Sequence, residues 1–391
     1  MLNLSEASNF LVGQKMFQIL AKAQFMETKG HPIIHLEIGD PDFNTPNHIS
    51  EAAINSIKKG NTHYTNSNGI IELREYAKVV TKKSRNFSPD LDQLLVTPGA
   101  NFQIYLALAC LINKSDEVIV PNPSFVSYSS IINFLGGKVV DLPLLECNKF
   151  IPDISTLENL ITKRTKVIII NSPNNPTGSI LPENIVREIY KIAEKYNLAI
   201  ISDEIYSRML YEDSDTKFFS SSMIDQCKVR TILINGFSKS YAMTGWRIGV
   251  MTAPNFLINK MNLLLESTLS CVSKFIQDAA LEALKSEQNE IIDMVKEYRN
   301  RRDLIYKRLN KIKNISCISP SGAFYIFANI KKLGISSEEV TNIFLEKLNI
   351  AVCPGSIFGS YGEGYVRFCY ANSFKNINLA MDRLENYYGT E

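Results

Sequence analysis

The chain has 391 residues, of which 45% are hydrophobic and 21% are charged. These proportions are those of an ordinary globular protein and exclude a disordered or fibrous chain, while the length predicts one large domain and a smaller one. Lysine and arginine number 42 against 40 aspartates and glutamates, and so balanced a charge excludes strong attraction to nucleic acid. We therefore expect no nucleic-acid partner.

Neither a secretion signal nor a membrane segment is predicted. Glu6, Lys15 and Lys22 interrupt the N-terminal apolar positions, whereas a signal peptide needs a continuous apolar stretch, and no run elsewhere is long enough for a membrane helix. The 7 cysteines are scattered, without a C-x-x-C pair or a metal-ligand spacing, which is typical of buried, reduced thiols. We expect a cytoplasmic protein that has no metal site and no membrane partner.

Between residues 93 and 252, short apolar runs alternate with segments of helical periodicity. The segment 182–196 is typical of a helix, because Ile185, Ile189 and Ile192 recur near helical spacing behind a proline. Repeated strand–helix units predict an α/β fold with a mostly parallel sheet flanked by helices on both faces. The predicted strands are 93–96, 117–120, 138–142, 166–170, 198–201, 231–234 and 248–252.

The pattern changes after about residue 285 and predicts a smaller α+β domain. Its predicted elements are a long charged helix over 287–310, a segment over 316–330, a helix around 337–347, a strand over 365–370 and a closing helix that ends at 388. We therefore divide the chain into an N-terminal segment that packs on the small domain, a large domain and a small C-terminal domain. Their predicted limits are 1–45, 46–285 and 286–391.

The segment SKSYAMTGWRIG, residues 238–249, follows the predicted strand 231–234. Its lysine, Lys239, would lie at the carboxyl end of a buried strand, where open α/β sheets bind their ligands. Desolvation or the cation of Arg247 would lower the lysine pKa and make the amine a nucleophile, and the Arg247 guanidinium also suits a phosphate. Spacing alone does not exclude the alternative that Lys239 is a surface lysine and Arg247 a structural arginine.

Asp203 follows the predicted strand 198–201, and Tyr206 lies three residues later. A carboxylate at this place can pair with the protonated ring nitrogen of a cofactor, and the Tyr206 phenol can reach the same ring. A helix cap or a turn residue is the alternative for an aspartate that ends a strand.

Two loops at other strand ends carry polar or flexible residues. In the loop 171–178, two prolines and a glycine favour a rigid backbone, from which the amide of Asn175 can reach a cofactor oxygen. Gly99, Ala100 and Asn101 lead into a helix, and the glycine with the free N–H groups of a helix start suits a phosphate. Either segment taken alone is equally typical of a tight turn.

Phe125 and Arg367 complete the candidate residues. Phe125 follows another strand end and can stack on a planar ring, although a core phenylalanine is the commoner alternative. Arg367 lies in the middle of an apolar strand, and a buried arginine needs an anion, either a substrate carboxylate or an internal ion-pair partner. Taken together, the strand ends supply the parts that a pyridoxal phosphate site requires.

In these motifs, which run in family order from IGDPDF at 38–43 to Arg367, the chain resembles the class I/II pyridoxal-phosphate-dependent aminotransferases of fold type I. The resemblance implies a Schiff base between Lys239 and pyridoxal 5'-phosphate, with Asp203 at the pyridine nitrogen and Tyr206 as a third catalytic residue. It assigns Gly99, Ala100, Asn101, Ser238 and Arg247 to the phosphate, Asn175 and Tyr206 to the ring hydroxyl, Phe125 to ring stacking, and Arg367, Gly39 and Asn175 to the substrate carboxylate.

The resemblance also implies a homodimer, because Tyr64 matches a family tyrosine that reaches the neighbouring subunit's phosphate. Two departures from the family pattern stand out. Gly236 replaces a hydroxyl residue that binds phosphate in many relatives, and Asn101 replaces a lysine that some aspartate-specific relatives use for the distal carboxylate.

The implied activity is a ping-pong transfer of an amino group from an L-amino acid to a 2-oxo acid, with 2-oxoglutarate as the favoured acceptor. Aspartate or an aromatic amino acid is the favoured donor. A carbon–sulfur β-lyase and a specialised biosynthetic aminotransferase remain as alternatives, since the same cofactor supports them. A hydrolase triad is not expected, because all 4 histidines precede residue 64 and no G-x-S-x-G motif occurs.

Overall fold

The computed structural model describes residues 2–11 and 13–390. The strands, numbered along the chain, are β1 (Ile34–His35), β2 (Leu94–Thr97), β3 (Glu117–Asn122), β4 (Lys138–Pro143), β5 (Thr165–Asn171), β6 (Ala199–Asp203), β7 (Thr231–Ile234), β8 (Gly249–Thr252), β9 (Ser316–Cys317), β10 (Tyr325–Asn329), β11 (Ile350–Ala351), β12 (Cys353–Pro354) and β13 (Tyr365–Cys369).

The helices are numbered in the same way. They are α1 (Lys15–Thr28), α2 (Asn47–Lys58), α3 (Ile71–Arg85), α4 (Ala100–Leu111), α5 (Ser127–Phe134), α6 (Ile154–Asn159), α7 (Glu183–Lys195), α8 (Ser222–Asp225), α9 (Asn255–Thr268), α10 (Lys274–Lys285), α11 (Asn289–Leu309), α12 (Ser337–Leu348) and α13 (Phe374–Tyr388).

A seven-stranded sheet in the order β2-β8-β7-β6-β5-β3-β4 forms the centre of the large domain. Strand β8 is antiparallel to both of its neighbours, while the pairs from β7 to β4 are parallel. The mostly parallel α/β sheet predicted from the sequence is confirmed, and each predicted strand is present with ends that differ by at most two residues.

Both faces of this sheet are covered by helices. Ile169 and Ile201 pack with residues of α4 and α9 on one face, whereas Ile168 and Ile170 pack with residues of α7 on the other. Successive side chains of a strand point to opposite faces, so a strand buried on both faces has a continuous apolar sequence. This is why the apolar runs alone located these strands.

The directions of the strands bring the candidate loops to one edge of the sheet. Because all strands except β8 point the same way, β2, β5, β6 and β7 end at the same edge. The segments that follow them contain Gly99, Asn175, Tyr206 and Lys239. Ligands of open α/β sheets bind at this edge.

The smaller domain contains an antiparallel sheet in the order β12-β13-β10-β9. Arg367 occupies the middle of β13, opposite Phe327 of β10 on one side and Cys353 of β12 on the other. A buried cluster that includes Tyr298, Phe324 and Phe344 joins this sheet to α11, α12 and α13. The predicted long helix is present as α11, two residues shorter at its start and one at its end.

The N-terminal segment contacts both parts of the molecule. Strand β1 pairs in parallel with β11, and Ala23 of α1 packs against Leu345 and Ala351. Before α1, a 3₁₀ turn over Glu6–Phe10 lies against α5, and Gln14 Nε2 donates a hydrogen bond to Ser127 Oγ at 3.0 Å. The segment after β1 then leads to Gly39.

All 7 cysteines are free thiols. Cys227, Cys317, Cys353 and Cys369 are buried, as expected, but Cys110 and Cys271 are only half-buried, and Cys147, in a 3₁₀ turn after β4, is exposed. None of the helices within residues 2–11 and 13–390 is both long and apolar enough to cross a membrane.

Candidate active site

Lys239 lies at the edge of the large sheet, as predicted. Its Nζ donates a hydrogen bond to the Gly39 carbonyl oxygen at 2.6 Å and lies 5.9 Å from the centre of the Phe324 ring. Burial lowers the lysine pKa to about 8, the charge of Asp40 acts in the opposite direction, and the cations of Arg367 and Arg247 lower the pKa further. An amine with this pKa is partly neutral near pH 7 and can act as a nucleophile or a base.

Asp203 ends β6 and is only 4% exposed. Its Oδ2 accepts a hydrogen bond from Tyr128 Oη at 2.5 Å, and its Oδ1 accepts one from the Ile205 N–H at 3.2 Å. The bond from the Ile205 N–H is the contact expected of a turn residue, which was the alternative interpretation of Asp203. The carboxylate therefore stabilises the local turn as well. Burial raises the Asp203 pKa to about 6, while the Tyr128 hydrogen bond acts in the opposite direction.

Tyr128 was not among the residues predicted from the sequence, and its contact with Asp203 makes a pH prediction possible. The Tyr128→Phe substitution removes a donor that favours the ionised carboxylate, so the pKa of Asp203 should rise further. If turnover needs ionised Asp203, the acidic limb of kcat against pH should lie at higher pH than in the parent, with a roughly two- to tenfold lower rate near pH 6. A profile that coincides with that of the parent would contradict this role.

Asn175, Tyr206 and Arg367 come together around Tyr325. Arg367 Nη1 donates a hydrogen bond to Asn175 Oδ1 at 3.0 Å, and the hydroxyl groups of Tyr206 and Tyr325 lie 2.7 Å apart. The Arg367 guanidinium lies 4.6 Å from the centre of the Tyr325 ring. Tyr325 had no signal in the sequence beyond its place in the segment 316–330.

Arg367 is 1% exposed, and its positive charge has no carboxylate partner among residues 2–11 and 13–390. Its Nη2 donates to the Glu37 carbonyl oxygen, and its buried Nε has no hydrogen-bond partner. The internal ion pair that the sequence left open is therefore not formed. A buried guanidinium in this state is suited to bind an external carboxylate through two hydrogen bonds.

The segment that precedes α4 fits a phosphate group. Gly99 has a φ of +85°, and a Cβ at this position would lie 2.9 Å from Arg247 Nη2. Ala100 and Asn101 begin α4, so their N–H groups lie in the first turn, where backbone donors have no partner within the helix. Exposed Arg247 is held by a hydrogen bond of 2.9 Å from Nη1 to the Thr244 carbonyl oxygen. A cradle of this kind suits the phosphate of pyridoxal phosphate.

The remaining predicted residues differ in their surroundings. Ser238 is buried beside Lys239, and half-buried Phe125 meets the Tyr128 ring edge-on at 5.7 Å. Gly39 is required by close packing, because a Cβ there would lie 1.9 Å from Tyr325 Oη. Tyr64 is 86% exposed in the single chain.

Comparison with known proteins agrees with this geometry. The family model for aminotransferase class I and II matches residues 31–384. The chain belongs to this family. Aminotransferases of the aspartate aminotransferase type use pyridoxal phosphate, which is the cofactor predicted from the sequence.

Similar proteins include three aminotransferases from other organisms. Aromatic-amino-acid aminotransferase 2 of Thermococcus litoralis is 42% identical over 90% of this chain and 91% of its own length. An aspartate aminotransferase of Pyrococcus abyssi is 42% identical with the same coverage of both chains, 90% and 91%. The structure of Thermus thermophilus aspartate aminotransferase with maleate has a TM-score of 0.94, is 32% identical and covers 99% of this chain and 100% of its own. The aminotransferase activity predicted from the sequence is confirmed at the level of the family.

Proposed function

We propose that this aminotransferase takes the amino group of aspartate or an aromatic L-amino acid and passes it to a 2-oxo acid, with 2-oxoglutarate as the favoured acceptor. The observation that carries the proposal is the buried Arg367 guanidinium without a carboxylate partner, since both substrates of a transamination bring a carboxylate. Relatives of equal identity are named for aromatic amino acids and for aspartate, so similarity alone does not choose between these donors.

The residues around Lys239 would hold the cofactor in a fixed position. We assign the phosphate to Gly99, Ala100, Asn101, Ser238 and Arg247, the ring hydroxyl to Asn175 and Tyr206, the pyridine nitrogen to Asp203, ring stacking to Phe125 and the covalent link to Lys239. When bound, pyridoxal phosphate supplies a ring that accepts the electrons left behind when an amino acid loses its α-proton.

The protein's own groups would orient the substrate and move the proton. Arg367 and the Asn175 amide, joined at 3.0 Å, would hold the α-carboxylate together with Gly39. Lys239, partly neutral because burial lowers its pKa, would accept the α-proton and return it. Buried Asp203 would keep a proton on the ring nitrogen, because its carboxylate can form a charge-assisted hydrogen bond there.

Asn101 bears on the choice of donor. It is exposed at the start of α4 and is neutral, so it offers no cation to the distal carboxylate of aspartate. Selectivity between substrates depends on such differences in pocket contacts. The aromatic donor is therefore supported somewhat better by this position than aspartate is.

We further propose a cytoplasmic homodimer in which Tyr64 reaches the partner's cofactor phosphate. The 86% exposure of Tyr64 in the single chain supports a role outside its own subunit, and the free thiols of all 7 cysteines support a reducing compartment. We retain 1–45, 46–285 and 286–391 as the proposed N-terminal, large and small units.

The proposed function is tested with a panel of amino acids, 2-oxoglutarate and the Arg367→Gln variant. We expect the parent to convert aspartate or aromatic donors with formation of glutamate, and the variant to lose roughly 10²-fold or more in kcat/KM, because a buried charge no longer pairs with the substrate carboxylate. An aromatic amine without a carboxylate is the control, and its slow reaction should be equal in both proteins. Pyruvate and ammonia formed without an acceptor would indicate a β-lyase instead.

A further inference from the structure

Tyr325 contacts three of the residues that we assign to the cofactor and the substrate. Its hydroxyl lies 2.7 Å from the Tyr206 hydroxyl, and the Arg367 guanidinium lies 4.6 Å from the centre of its ring. Its hydroxyl also fills the place of a side chain at position 39, since a Cβ on Gly39 would lie 1.9 Å from Tyr325 Oη. The proposed function nevertheless gives Tyr325 no role of its own.

The Tyr325 side chain is fixed by its packing. Tyr325 begins strand β10 and is 1% exposed. Its ring centre lies 4.9 Å from that of Phe324, and the Tyr206 ring meets it edge-on at 5.7 Å. A buried side chain packed in this way cannot turn its hydroxyl away from Tyr206 without displacing a neighbour.

The two hydroxyl groups have only each other as partners within the part of the chain that the structure describes, residues 2–11 and 13–390. Burial raises the pKa of both phenols, so both keep their protons near neutral pH. A tyrosine hydroxyl has one proton to donate, and only one of the pair can donate to the other. The proton of the second phenol is therefore available to a third group.

The assignment of Tyr206 to the ring hydroxyl of the cofactor determines the direction of this hydrogen bond. When Tyr206 donates its only proton to the ring oxygen, its own oxygen can only accept within the pair. Tyr325 must then be the donor. A hydroxyl that accepts a hydrogen bond is polarised by it and becomes a stronger donor itself.

We propose that Tyr325 is a positioning residue, which donates a hydrogen bond to Tyr206 and thereby strengthens the hydrogen bond from Tyr206 to the ring oxygen of pyridoxal phosphate. The proposal rests on the proposed function, because it takes the assignment of Tyr206 to that oxygen as given. It goes further by adding a residue of the smaller sheet that acts on the cofactor only through Tyr206. The hydroxyl of Tyr325, and not its ring, carries this role.

The absorbance of the bound cofactor reports this chain of hydrogen bonds when the pH is varied. A donor to the ring oxygen stabilises its anionic form and so lowers the pH at which the chromophore loses its proton. Loss of the Tyr206 hydroxyl should raise this titration midpoint by about one to two pH units, as for a hydrogen bond to a charged group. Loss of the Tyr325 hydroxyl should raise it by roughly 0.2 to 0.6 unit, because a polarising partner strengthens a hydrogen bond by about 10–30%.

The test is a spectrophotometric pH titration of the holoenzyme without substrate, in the parent, Tyr325→Phe, Tyr206→Phe and the double variant. We expect both single variants to raise the titration midpoint by the amounts given, and Tyr325→Phe to add nothing in the Tyr206→Phe background. Tyr370→Phe is the matched control, because Tyr370 and Tyr211 form a second buried pair, with hydroxyl groups 3.0 Å apart. Its titration midpoint should equal that of the parent.

The outcomes separate this proposal from the proposed function. A parent-like midpoint in Tyr325→Phe beside a raised one in Tyr206→Phe would overturn the role of Tyr325 alone. An unmoved midpoint in Tyr206→Phe would overturn the assignment of Tyr206, and the proposal with it. A shift from Tyr325→Phe that persists in the Tyr206→Phe background, or an equal shift in Tyr370→Phe, would also overturn the proposal. Tyr325→Met lacks the same hydroxyl and repeats the test if the melting temperature shows that Tyr325→Phe does not fold.

Discussion

Replacement of Lys239 by alanine is expected to lower kcat by roughly 10⁴-fold, because it removes both the covalent attachment and the proton carrier. The amine is held 2.6 Å from the Gly39 carbonyl oxygen, and burial lowers its pKa to about 8. With this pKa, about a tenth of the amine is neutral at pH 7. Steady-state rates with the best donor of the panel measure the loss, and the cofactor content of the purified variant is measured by absorbance.

The Lys239→Arg variant separates a chemical role from a structural one. Arginine keeps the positive charge and can still donate to the Gly39 carbonyl, but its pKa is too high for it to act as a base. We expect Lys239→Arg to be as inactive as Lys239→Ala, and a small primary amine added to Lys239→Ala to restore part of the rate. An active Lys239→Arg enzyme would show that the lysine only bridges two segments.

The architecture was predictable because the informative patterns are local. The strand β5 contains the continuous apolar run 167–170, and the burial of this run on both faces by α7 and α4 follows from that pattern. The residues that end β5 and β6 were correctly expected at one edge, because parallel strands share their direction. The ends of the strands were predicted less accurately, since they depend on the turns that follow.

The partners of the predicted residues could not be found in the same way, because they are distant in sequence. Tyr128 and Asp203 are 75 residues apart, and Tyr206 and Tyr325 are 119 apart. Nothing in the sequence near Arg367 distinguishes an internal ion pair from an unpaired guanidinium, since that depends on which strands flank β13. These features depend on tertiary packing, and only the folded chain shows them.

The Asp203→Ala variant is expected to bind pyridoxal phosphate and to turn over about 10³-fold more slowly than the parent. Binding should persist because the phosphate cradle at Gly99 and Arg247 and the amine of Lys239 are unchanged. Turnover should fall because the carboxylate that keeps a proton on the ring nitrogen is lost. Equilibrium dialysis measures the first quantity and steady-state kinetics the second, and near-native turnover would contradict the assigned role.

Asp203→Asn is the matched variant, because its amide oxygen can still accept the hydrogen bond from Tyr128 while the negative charge is lost. If the charge is what matters, Asp203→Asn should be nearly as slow as Asp203→Ala, and loss of the α-proton should become rate-limiting. The kinetic isotope effect on kcat with an α-deuterated donor should then be larger than in the parent. A carboxylate that only stabilises the turn at Ile205 would leave that isotope effect unchanged, since it would not act on the step in which the proton moves.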